Sequence, residues 1–98
     1  MKFLLLVLPM FLLTVDSHAA DKEDAYQQCL LDHAPKVQLP QVWSWLKKSC
    51  HQLHRELVIL PDKKAFHQCV LQHLPQVELA EVVPDVVNAC ASQHNFRK

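Results

Sequence analysis

The sequence predicts an all-α fold, with two tandem disulfide-stapled helical hairpins packed as a small four-helix bundle. Three observations lead there. Residues 25–54 and 65–94 align at a constant offset of 40 without a gap, and 11 of those 30 positions are identical. A repeat of that length marks a duplicated supersecondary unit. All four cysteines fall among the identities, as Cys29/Cys69 and Cys50/Cys90. The apolar spacing is helical, and the chain has no glycine. A β-rich or loop-rich knottin needs positive-φ turns, which glycine fills at least cost.

The first 19 residues read as an export signal. Lys2 supplies the positive start, residues 3–13 the apolar run, and Ser17-His18-Ala19 a small-residue cleavage site. The run falls short of the roughly 20 apolar residues that span a bilayer. The mature chain is therefore expected to begin at Ala20 and to form one domain over residues 20–98, built of the two repeats. It is expected to be secreted into an oxidising compartment with its cysteines joined as two disulfides.

The elements follow in order. Tyr26, Cys29, Leu30 and His33 share one face of a first helix, with Asp21 placed to cap it and Pro35 to end it. A second helix starts near Leu39 with Pro40 in its first turn. Its stripe of Leu39, Trp43, Leu46, Cys50, Leu53 and Leu57 alternates steps of four and three, and Pro61 closes it. Asp62 then caps a third helix carrying Phe66, Cys69, Val70 and His73, stopped by Pro75. The fourth carries Leu79, Val83, Val86 and Cys90 in the same register, and starts or kinks at Pro84.

Four cysteines allow three pairings. The duplication favours Cys29–Cys50 and Cys69–Cys90, because a unit that once stood alone closed its own pair. Each such bridge would enclose 20 residues, a loop whose closure contributes on the order of 3 kcal/mol.

The charge balance excludes some functions. Lysine plus arginine equal aspartate plus glutamate, ten each, and no basic stripe is visible, so a nucleic-acid partner is not expected. A cationic membrane-lytic peptide is disfavoured for the same reason. The six mature histidines would add positive charge between about pH 7 and pH 5, so membrane contact is expected only under acid.

Histidine is the one enriched residue with coordination chemistry. His33/His73 and His54/His94 each follow a cysteine by four residues, His51 pairs with His54 at i, i+3, and His67 has no counterpart. Neutral imidazole suits copper and zinc. Within one hairpin His33 and His54 should stand roughly 12 Å apart, on opposite sides of the staple, so a site needs histidines from both repeats or a third ligand. No strict zinc motif is present. The competing reading is of helix-end and solvated histidines, with no cofactor required.

Trp43 and Trp45 are two residues apart and cannot both face one core. Trp43 belongs to the stripe. Trp45 either covers part of the second hairpin or stands exposed beside Lys47 and Lys48 as an anchor for a partner. No nucleophile–base arrangement is legible, and two disulfides leave no thiol. The chain is not expected to be an enzyme.

The signal followed by Cys-x20-Cys hairpins with proline in the turn (Cys29–Cys50 and Cys69–Cys90) and scattered histidines resembles the microplusin/hebraein group. The resemblance implies a secreted, all-helical, copper-sequestering antimicrobial protein of arthropod (tick) type. This chain has four cysteines where that group has six, and it ends in His94-Asn95-Phe96-Arg97-Lys98 without a histidine-rich tail. Two functions are expected in turn. The first is a secreted effector of venom, saliva or immune type that binds an extracellular protein. The alternative is an antimicrobial protein that sequesters copper or zinc.

Overall fold

The computed structural model describes residues 18–96. The expected signal up to Ser17, with Lys2 and the apolar run, lies outside the described residues, as do Arg97 and Lys98. Four helices follow one another: α1 (His18–His33), α2 (Pro40–His54), α3 (Pro61–His73) and α4 (Val82–Gln93), with a short 3-10 turn at Ala34–Lys36 after α1. The described residues contain no strand.

The disulfides join Cys29 to Cys50 and Cys69 to Cys90, with Cα–Cα distances of 5.8 and 5.7 Å. Each staple ties the two helices of one repeat, the pairing that duplication favours. The all-α bundle of two stapled hairpins is the architecture observed.

Proline opens the two inner helices. Leu39 (ψ 141°) and Leu60 (ψ 149°) are extended, and Pro40 and Pro61 occupy the first turn behind them, with no side-chain cap at either. The ring of proline pushes the preceding residue out of helical space, and a first-turn proline sacrifices no helical hydrogen bond. This corrects two expectations. Pro61 opens α3 and does not close α2. Asp62 is a first-turn residue favoured by the helix dipole and not the cap. Asp21 likewise sits in the first turn of α1, which begins at His18. Val82 begins α4, so Pro84 is within its first turn and introduces no break.

The stripe of α2 also ends early. The helix stops at His54, leaving Leu57 87% exposed in the connection to α3. Residues 57–60 (Leu-Val-Ile-Leu) lack a helical period, and Pro61 holds Leu60 extended. Leu79 is exposed in the turn before α4 and is not part of its stripe.

Packing runs along the chain: α1 on α2, α2 on α3, α3 on α4. The inner helices therefore come from different copies, and the copies diverge in burial. Leu71 on inner α3 is 8% exposed, whereas its counterpart Leu31 on outer α1 is 66% exposed. The core is centred on Phe66, Leu46, Leu74, Val42, Val70 and Val87, all essentially buried. Each such side chain contributes about 1.5–3 kcal/mol by leaving water. In α1, Cys29 alone is fully buried among the described residues. Tyr26 and Leu30 pack on the core beside it. Tyr26 meets His51 of α2 edge-on and lies under the Arg55 guanidinium just past α2 (4.2 Å to the ring centroid), and Arg55 pairs with Glu23 at 2.9 Å.

Candidate functional site

Among the described residues, the seam between α2 and α3 holds the buried polar side chains. Ser49 from α2 and His67 from α3 are 0% and 1% exposed, and Ser49 Oγ shares a 2.9 Å hydrogen bond with His67 Nδ1. That bond satisfies two groups whose burial unpaired would cost on the order of 1–3 kcal/mol each. Burial foremost, then the nearby ammonium groups of Lys63 and Lys48, pull His67 down from 6.5 to about 4. A charged imidazole would lose its hydration there and meet two like charges. His67 therefore stays neutral through the range in which all six mature histidines were expected to charge.

A serine–histidine pair was not legible in the sequence, since positions 49 and 67 meet only when α2 packs on α3. Its geometry does not make it a catalytic pair. A base titrating near 4 draws protons poorly at neutral pH, and the Ser49 hydroxyl is sealed from solvent.

Beside this pair lies a cavity of about 180 Å³. Trp45, Phe66, His67 and Phe96 form its rings, and Lys48, Lys63 and Gln52 its polar edge. Trp45 is half-buried and meets Phe66 edge-on at 6.1 Å, with Lys48 Nζ 4.9 Å from its own ring centroid. Trp45 thus covers the second hairpin, one of the two roles open to it, while Lys47 is exposed. Both tryptophans reach apolar surroundings because α2 is an inner helix with neighbours on two sides: Trp43 is also half-buried against the core.

Phe96 reaches the cavity through a helix stop built without glycine. Asn95 takes φ 54°, and the Phe96 amide donates back to the Ala91 carbonyl (2.9 Å). This is the left-handed termination that asparagine tolerates best after glycine. It folds Phe96 onto Phe66, centroids 4.5 Å apart, and to 6.0 Å from His67.

The other histidines are dispersed. His33 is half-buried and its Nδ1–H donates to the Cys29 carbonyl at 2.7 Å, one turn back. His51 Nε2–H donates to Glu56 at 2.9 Å and stands edge-on to Tyr26. His54 is half-buried at the end of α2. In the second hairpin His73 and His94 border one pocket of about 210 Å³ together with Gln68, Gln72 and Gln93. Among the described residues one trio has ligand atoms within 4.8 Å of one another, Cys29, His33 and Cys50. Those sulfurs are bonded to each other, so neither is a thiolate able to ligate.

Among the described residues, the connection between the hairpins carries the most exposed large apolar side chains. Leu57, Val58 and Leu60 are 87%, 81% and 69% exposed. Arg55 and Glu56 precede them, Asp62 and Lys63 follow, and the rim is therefore of mixed charge.

Two disulfides mark a chain that matures outside a reducing cytosol, and no helix among the described residues is long and apolar enough to cross a membrane. No curated protein and no solved structure matches the chain. A family model described as four-cysteine protein VF_A0006-like matches residues 6–94, a span that includes both stapled hairpins. The chain belongs to this VF_A0006-like four-cysteine family.

Proposed function

We propose that the protein is a secreted, disulfide-stabilised effector that acts by binding a partner protein outside the cytosol. The observation that carries this reading is the apolar connection at Leu57, Val58 and Leu60, held out between two stapled hairpins. Three large apolar side chains left in water have no folding rationale, and contiguous ones mark interaction surfaces. Their mixed-charge rim suits a protein interface with an apolar centre and polar edge, whereas an anionic membrane surface favours a cationic rim.

The test is capture from the extracellular fluid of the source, identification of the captured protein, and titration of that purified protein. Wild type should bind with Kd near or below about 1 µM. Leu57→Ser/Val58→Ser/Leu60→Ser should weaken binding at least tenfold while its thermal midpoint stays put, because exposed residues contribute within about 0.5 kcal/mol to stability. Equal affinities, or no protein captured by wild type, overturn the reading.

The alternative, sequestration of copper or zinc, is supported by one observation: His73 and His94 border the same pocket. It is the activity expected from the microplusin/hebraein resemblance. Calorimetric titration with Cu(II) at about pH 7.4 should give saturable binding tighter than about 1 µM, lost in His73→Ala/His94→Ala. Binding that is absent, or unchanged in the variant, rules this out.

A further inference from the structure

The cavity between α2, α3 and the turn after α4 borders the partner-binding surface at Lys63 but has a chemistry of its own. Its size is informative. A void of about 150 Å³ accepts benzene, and this one holds about 180 Å³, room for one ring and a small substituent.

Its walls then narrow the ligand. Trp45 and Phe96 offer aromatic surfaces to a planar guest, with the buried Phe66 behind them. Lys48 and Lys63 line the same space from two different helices. The ion pairs among the described residues, Arg55–Glu23 and His51–Glu56, involve neither lysine. Two ammonium groups at the edge of an apolar cavity favour an anion. Gln52 lines the cavity as well, and its Oε1 is buried with no hydrogen-bond partner. A buried carbonyl left unpaired is costly, and a donor on a guest would satisfy it.

We propose that this cavity is a binding site for a small aromatic carboxylate bearing a hydroxyl or similar donor. The ring packs between Trp45 and Phe96, the carboxylate faces Lys48 and Lys63, and the donor pairs with Gln52 Oε1. His67 reports on occupancy. The titratable groups around it are Lys48 from α2 and Lys63 from α3, with Asp62 next to Lys63 on the rim of an adjoining depression, while the turn after α4 brings Asn95 and Phe96, which carry no charge. A bound carboxylate offsets the two ammonium groups and makes protonation of His67 easier.

Trp45 is the reporter for the test. In a Trp43→Phe background it is the single tryptophan, and 4-hydroxybenzoate is the probe. Fluorescence should change saturably, with Kd between about 10 µM and 1 mM for a guest of this size. The neutral isostere 4-hydroxybenzyl alcohol should bind at least tenfold more weakly, as should 4-hydroxybenzoate to Lys48→Gln or Lys63→Gln. Benzoate, which lacks the donor, should bind several-fold more weakly than the hydroxylated probe. By NMR, the midpoint of His67 should rise with saturating probe, and unchanged far-UV circular dichroism shows that each variant is folded. No saturable change up to about 10 mM, equal affinity for acid and alcohol, or a response that persists in the Lys48→Gln/Lys63→Gln double variant overturns the proposal.

Discussion

His67 shows how one side chain can be decided by its neighbours. Its counterpart in the first repeat is Gln27, exposed on an outer helix, so the duplication conveys nothing of its role. Burial against α2 holds it neutral to about pH 4, whereas the unfolded chain protonates it near 6.5. The unfolded state therefore binds the proton first as pH falls. The stability from this group is intact above about 6.5 and is lost progressively down to about 4, by up to about 3 kcal/mol. Urea unfolding at about pH 7.5, 5.5 and 4 should record that loss. His67→Gln should be less stable than wild type at neutral pH, through loss of the bond to Ser49, yet decline less steeply with acid. An equal decline in both proteins would remove His67 as the cause. Asn95 makes the same point for backbone: in a chain without glycine, it supplies the positive φ that turns Phe96 back onto the core.

At the scale of elements, the helices differ in what holds them. Among the described residues, the outer helix α1 has one buried side chain, Cys29, and that residue is half of a staple. The inner helix α3 brings Phe66, His67, Cys69, Val70 and Leu71 into the core. Each disulfide closes a loop worth about 3 kcal/mol in chain entropy, yet their loss should differ in kind. In Cys29→Ser/Cys50→Ser, amide exchange should accelerate in α1 while α2 to α4 stay protected, as expected of a locally unfolding unit. In Cys69→Ser/Cys90→Ser, protection should fall throughout and the thermal midpoint should drop further, because the core itself loosens. Hydrogen exchange resolved by helix separates these outcomes. Uniform loss in both variants would show that α1 is as cooperative as the rest. The prolines were legible as punctuation, and Pro40 was read correctly as a helix start, but Pro61, read as the stop of α2, is the start of α3. Only the end of α2 at His54 settles it.

For the whole molecule, the decisive fact is the order in which the hairpins stack. Duplication makes two similar units, and serial packing gives their helices different surroundings, α1 and α4 outside, α2 and α3 inside. That is why Leu31 faces water and Leu71 does not, and why Trp45 finds Phe66 beneath it. It also sets the apolar connection at one edge of the seam and the lysine-edged cavity at its side, each testable by the substitutions given above. The sequence by itself determined the helical class and the four-helix count, and it favoured the two staples that the structure then fixed. Periodicity, cysteine spacing and proline placement act within about 20 residues, and the duplication repeats them. The tertiary structure alone decided the Ser49–His67 pair, the half-burial of both tryptophans, the exposure of Leu57 and the cavity. Each of these depends on which face of one repeat meets the other, a choice made by desolvation and packing across the seam, where identical local patterns carry no information about which copy ends inside.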